Sequence, residues 1–166
     1  MKIGLGADPF GLELKEVVKQ HMLALGHEII DVGGTADEAR SYYDVAHELA
    51  GKVGAGEWDR GILVCGTGMG MAIIANKHPH VYAAACEDPS AASKARSINN
   101  ANVLTMGGMV TAPHKAKEIV DVFLATGFKA GWDKEIQAFL DRSMDDIHRI
   151  EAQQFKSSED KCKEGH

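Results

Sequence analysis

Positive charge is in short supply in this chain. Lys and Arg number 18 against 24 Asp and Glu, a net charge of −6 over 166 residues. Long-range repulsion therefore argues against nucleic acid and acidic membrane surfaces as partners. Cysteine is sparse too, with only Cys65, Cys86 and Cys162. An odd count without a Cys-x-x-Cys pair argues against a disulfide framework and reads as reduced thiols in a cytoplasmic protein. No apolar run approaches the roughly 20 residues of a membrane-spanning helix. The N-terminus runs directly into a strand pattern and does not read as a signal peptide. The histidines are scattered without metal-ligand spacing, so no metal is expected. Aromatics make up only 6% of the chain. That leaves little to sandwich a flavin and weakens the case for an electron carrier. No motif calls for any other cofactor.

What is present is ordinary in amount and ordered in pattern. A hydrophobic share of 45% and a charged share of 25% suit a globular domain. Short apolar strands are expected at Lys2–Ala7, His27–Val32, Gly61–Val64, Val81–Cys86 and Val103–Met106. Helical spacing appears at Leu12–Leu25, Asp44–Gly54, Met71–Lys77, Pro89–Ile98, Ala112–Thr126 and Trp132–Phe155. Strict alternation predicts an α/β fold: a three-layer open sheet, mostly parallel and Rossmann-like, with a C-terminal helix. One domain is expected over residues 1–155, followed by a polar, disordered tail over 156–166. In such sheets a ligand sits at the carboxyl ends of the strands, near a topological switch point.

The segment Gly61-Ile-Leu-Val-Cys65-Gly66-Thr67-Gly68-Met69-Gly70 puts a thiol, a hydroxyl and unobstructed backbone N–H groups at one such strand end. Strand, glycine-rich loop and helix together make an anion cradle. A thiol there is biased toward thiolate by the helix dipole. The loop is not a P-loop, since no Gly-Lys-Ser/Thr closes it, nor the dinucleotide fingerprint, since Met71 takes the last glycine's place. It lacks the arginine of a thiol phosphatase. A buried cysteine at a strand end is often only a small hydrophobe. Three glycines in five residues, each costly in entropy, favour a function.

Asp8 ends the first strand and reads either as a helix N-cap or as a carboxylate that binds a hydroxyl. Asn99, Asn100 and Asn102 cluster before the strand at Val103, where turns explain some of them and a ligand amide another. Trp132 reads as packing.

Taken together, Gly6-Ala7-Asp8-x-x-Gly11-x-x-Leu14-Lys15, the Cys65 loop, Ala75-Asn76-Lys77 and Asn99-Asn100-Ala101-Asn102-Val103-Leu104 resemble the ribose 5-phosphate isomerase B / galactose-6-phosphate isomerase family from Lys2 to about Leu140. The resemblance implies a homodimer, or a dimer of dimers, with the active site at the subunit interface. It implies a metal-independent aldose–ketose isomerisation of a sugar or sugar phosphate through a cis-enediolate. Cys65 would be the base and Thr67 a proton shuttle between oxygens. The N–H groups of Gly66, Gly68, Met69 and Gly70 would hold the enediolate oxygen, and Asp8, Asn99 and Tyr42 would bind sugar hydroxyls.

The chain also departs from that family. Pro9 stands where a phosphate-contacting His is expected, Ile98 where a ring-opening His is, and Met109, Trp132 and Ile136 where arginines are. Either other cations such as Lys134 or Arg96 hold a phosphate, or the substrate is non-standard: a tetrose phosphate or an unphosphorylated sugar. A subunit of a hetero-oligomer and a non-catalytic sugar-binding module are the remaining readings.

Overall fold

The computed structural model describes the backbone of residues 1–163 and the side chains of residues 1–155. In chain order the elements are β1 (Lys2–Ala7), α1 (Leu12–Ala24), β2 (Glu28–Asp31), α2 (Tyr42–Gly54), β3 (Arg60–Cys65), α3 (Met69–Ala75), β4 (Ala83–Ala85), α4 (Pro89–Ser97), β5 (Val103–Gly107), α5 (Pro113–Ala125) and α6 (Lys134–Lys163). The strands form one sheet in the order β2-β1-β3-β5-β4. Every pairing in it is parallel, so the expected mostly parallel sheet is parallel throughout.

Alternate residues of each strand feed opposite faces. Ile3, Leu5, Ile62, Val64, Leu104 and Met106 pack with α1, α4 and α5 through Val18, Ala92 and Phe123. Leu63, Cys65 and Val103 pack with α2 and α3 through Val45, Leu49 and Met71. Chain connectivity makes this split useful. The chain leaves β1 toward one face through α1 and leaves β3 toward the other through α3. Between those adjacent strands the following loops part and open a crevice at their carboxyl ends.

Helix boundaries differ from the sequence reading at three places. The helix expected from Asp44 starts at Tyr42, because Ser41 caps it by accepting from Asp44 N at 3.3 Å. The helix expected from Met71 starts at Met69, with Gly68 as its N-cap. The C-terminal helix runs on to Lys163, through most of the stretch read as tail. It is held to the β4 edge by Glu151, which accepts from Tyr82 Oη at 3.2 Å and from the N–H of His80 at 2.5 Å. Burial beside that carboxylate pushes the Tyr82 phenol up to about 12. Among the described residues no helix is long and apolar enough to cross a membrane.

Candidate active site

The crevice is built by three loops hydrogen-bonded to one another. Asp8 N donates to Val64 O at 3.3 Å and ties the loop after β1 to β3. Gly108 N donates to Cys65 O at 2.7 Å, and Met109 N to Gly66 O at 3.0 Å. The loop after β5 is thus laid directly along the loop after β3. These bonds satisfy backbone groups that the ends of the strands would otherwise leave open.

Cys65 closes β3 and is 6% exposed. The N–H of Gly68 donates to its Sγ at 3.1 Å. This contact needs Gly68 in the left-handed region, at φ 81°, a conformation that glycine adopts without a Cβ clash. A Cβ there would also lie 2.9 Å from the Met106 carbonyl carbon. Thr67 is exposed between them, and its Oγ1 accepts from Met69 N at 3.4 Å. Gly66 to Gly70 therefore lead from Cys65 into the first turn of α3, with the Gly68 N–H at the thiol. Tyr42 lies against Gly70, with Cε2 2.9 Å from where a Cβ would stand.

Asp8 is 7% exposed. Its Oδ1 accepts from Phe10 N at 2.9 Å and Gly11 N at 3.0 Å. The N-cap of α1 is Gly11, so the N-cap reading of Asp8 gives way to a turn that its own carboxylate closes. Oδ2 makes no hydrogen bond among the described residues. Burial pushes the carboxyl up, against the opposing pull of the Gly11 and Phe10 N–H groups. Phe10 is 65% exposed, Met109 66%, and both approach Gly66. They form an apolar rim. Phe10 was not foreseen, although a large aromatic in an Asp-Pro turn is a readable signal.

Asn99 is not in this crevice. It is exposed at the opposite end of β5, beyond Ala101 and Asn102. A five-residue strand is about 15 Å long, so Asn99 and Cys65 of one chain stay apart. Asn102 is committed locally, accepting from Tyr82 N at 2.8 Å and donating to His80 O at 2.8 Å. Arg96 cannot serve a phosphate as the sequence reading allowed. It is 3% exposed and donates to Thr126 O at 3.2 Å, Asn100 Oδ1 at 3.1 Å and Ala101 O at 2.5 Å. Burial holds its guanidinium down at about 10. A cavity of about 550 Å³ lies elsewhere, between α6 and the β4 edge, lined by Tyr82, Ile147 and Ile150 among others.

Comparison with known proteins matches residues 3–139 to a family described as ribose/galactose isomerase. A 4-deoxy-4-sulfo-D-erythrose isomerase of Clostridium sp. (strain MSTE9) is 43% identical over 152 residues, which cover 91% of this chain and 96% of that protein. A D-erythrulose-4-phosphate isomerase of Pectobacterium atrosepticum is 39% identical over 132 residues, covering 79% and 87%. The solved ribose-5-phosphate isomerase B of Clostridium thermocellum superimposes with a TM-score of 0.83 at 37% identity, covering 92% and 99%.

Proposed function

The chain belongs to the ribose/galactose isomerase family and is an aldose–ketose isomerase, and from that premise we propose that it acts on an open-chain four-carbon sugar carrying an anionic group at C4. The observation that carries the reaction is the contact between the Gly68 N–H and Cys65 Sγ. It puts a nucleophilic sulfur and an array of N–H donors at one strand end.

In this reading the Cys65 thiolate takes the proton from C2 of the aldose. The electron pair moves into a C1–C2 double bond, and charge collects on O1. The N–H groups of Gly66 to Gly70 stabilise that oxygen where the charge develops. The Thr67 hydroxyl moves a proton between O1 and O2. Cys65 then returns its proton to C1, completing the ketose without a metal or cofactor. A positioned base of this kind contributes roughly 10²–10⁴-fold. Asp8 Oδ2 and Tyr42 bind sugar hydroxyls. Asn99 comes from a second copy of the chain, because its own Cys65 is out of reach.

The substrate follows from two departures. A sugar closes its ring by attack of a 4- or 5-hydroxyl on the carbonyl. A tetrose substituted at C4 has neither hydroxyl free, so it stays open. Ile98, where the family resemblance implies a ring-opening His, then costs nothing. The arginine and His positions of a phosphate site hold Met109, Trp132, Ile136 and Pro9. Each charged hydrogen bond lost removes roughly 1.5–3 kcal/mol. A sulfonate monoanion needs less counter-charge than a phosphate dianion, which favours the sulfonate. The names of the two relatives agree with a C4-anionic tetrose.

The test compares kcat/KM for 4-deoxy-4-sulfo-D-erythrose, D-erythrose 4-phosphate and ribose 5-phosphate. The sulfonate is expected to lead. Efficient turnover of ribose 5-phosphate at low KM would defeat the substrate assignment.

A further inference from the structure

Helix α4 carries two cations, Lys94 on its exposed side and Arg96, which is 3% exposed. A buried charge is costly unless it is well hydrogen-bonded. The acceptors of Arg96 are all neutral oxygens. Nε donates to Thr126 O at 3.2 Å, and Nη1 donates to Asn100 Oδ1 at 3.1 Å and to Ala101 O at 2.5 Å. The guanidinium therefore grips the end of α5 with one nitrogen and the turn that follows α4 with another. The Phe123 ring of α5 flanks it, with its centroid 5.7 Å from Cζ.

That turn is already closed by its backbone. Asn100 stands at φ 50°, in the left-handed region that Asn visits more readily than most residues. Its N–H donates to Arg96 O at 3.2 Å, and Ala101 N donates to Ala95 O at 2.9 Å. A left-handed residue and backbone bonds of this kind suffice to end a helix. Ending α4 thus requires neither a buried cation nor a side-chain acceptor. The added bonds to Asn100 Oδ1 and Ala101 O instead lock the residue just before them. Asn99 lies between Asn100 and Ile98, whose N–H donates to Lys94 O at 2.9 Å. Asn99 itself is exposed, and its side chain makes no hydrogen bond among the described residues.

We propose that Arg96 and Asn100 are positioning residues for Asn99: the guanidinium, through Asn100 Oδ1 and Ala101 O, fixes the direction in which Asn99 presents its amide to a sugar hydroxyl. The inference rests on the reading above, in which Asn99 of one copy serves the Cys65 crevice of another. Arginine suits the task because its planar fork serves separate acceptors at fixed angles. A lysine ammonium on a flexible stem does not. A turn left loose would have to be ordered at each binding event, and ordering it beforehand removes that cost. Neither residue touches the sugar; both act through Asn99.

The experiment measures kcat and KM with whichever wild type turns over fastest among 4-deoxy-4-sulfo-D-erythrose, D-erythrose 4-phosphate and ribose 5-phosphate. Arg96→Lys keeps the charge and loses the fork. Asn100→Gly keeps the left-handed backbone and loses the acceptor. Each lowers kcat/KM about 3- to 10-fold, the effect of one neutral hydrogen bond, and the loss appears in KM. Asn100→Asp keeps both the acceptor and the tolerance of a left-handed backbone, and retains the wild-type value. Arg96→Lys is then refolded with a large excess of Cys65→Ala. The working site of each hybrid pairs an intact Cys65 with an unaltered Asn99 turn, so KM returns to the wild-type value. A defect that merely weakened the fold of the Arg96→Lys chain would stay with that chain's Cys65 and keep KM raised. Asn99→Ala refolded in the same excess is the control. If the control regains wild-type KM and the Arg96→Lys hybrid does not, positioning by Arg96 is wrong while the shared site stands. If the control fails, the shared-site reading falls and this inference with it. Should Arg96→Lys fold poorly, Asn100→Gly carries the test: wild-type kinetics there would show that the backbone alone aims Asn99, and would overturn the proposal.

Discussion

The N–H of Gly68 donates to the sulfur of Cys65 across 3.1 Å, and this one contact ties the end of β3 to the start of α3. It exists because β3 delivers Cys65 to the switch point, and because Gly68 turns left-handed to begin α3. The thiol belongs to the core on one side and to the crevice on the other. Cys65 packs with Met71 and Val45 and also receives an N–H from the loop.

Removing the sulfur should stop the proton transfer without unfolding the chain. Cys65→Ala is expected to lower kcat by roughly 10²–10⁴-fold. Wild type incubated with sugar in heavy water exchanges the C2 proton for deuterium, and the variant does not. Wash-in at the wild-type rate in Cys65→Ala would remove the thiol from the mechanism.

Asn99 offers a test that needs no structure of a complex. Cys65→Ala and Asn99→Ala are each expected to be weak alone. Mixed after partial unfolding and refolding, they should form hybrid dimers if the site is shared between two copies as proposed. In each hybrid one site combines an intact Cys65 with an intact Asn99 from the other copy. Activity should rise above the sum of the two separate variants. A strictly additive result would place Asn99 outside a shared site.

Gly68→Ala probes the loop. The substitution puts a Cβ at φ 81° and within 2.9 Å of the Met106 backbone. Strain of this kind costs about 1–3 kcal/mol. Both the thermal midpoint and kcat should fall. A variant with unchanged kcat would show that the N–H contact to the sulfur is dispensable.

Acid stability has a local origin in Asp31. Burial pulls its carboxyl upward, but hydrogen bonds from Lys19, Lys15 and Gly33 N–H outweigh it and hold the carboxyl below its usual value of 3.8. Lys15 is 1% exposed and donates to both carboxylate oxygens at 3.2 and 2.9 Å, and to Gly34 O at 3.2 Å. A carboxylate with a depressed folded-state pKa stabilises the fold above its unfolded-state value and loses that contribution as pH falls through the folded-state value. Asp31→Asn should therefore cost about 1.5–3 kcal/mol at pH 7, and the gap to wild type should close below pH 4. A gap that stays constant from pH 7 to pH 2 would rule out this account.

The architecture was legible in the sequence because its signals are local. Apolar runs four to six residues long, helical spacing between them and glycine at the turns all act within a few residues of one another. The parallel sheet follows from their alternation. Boundaries were less legible, since a side-chain cap such as Ser41 or a left-handed Gly68 moves a helix start by two residues. The 30-residue α6 outran its apolar pattern, and Glu151 latches its middle to His80 and Tyr82, about 70 positions away in the chain.

Sequence alone determined the candidate site's central segment, because Cys65, Thr67 and the glycines are contiguous and a strand–loop–helix turn folds them together. Only the tertiary structure decided which other residues can join them. It committed Arg96 to carbonyls that the chain brings back after 5 and 30 residues, and turned Asp8 upon its own loop. It also set Asn99 at the wrong end of the sheet for its own Cys65. Those outcomes depend on strand order and on the direction in which each helix returns. Neither quantity is carried by any short stretch of residues.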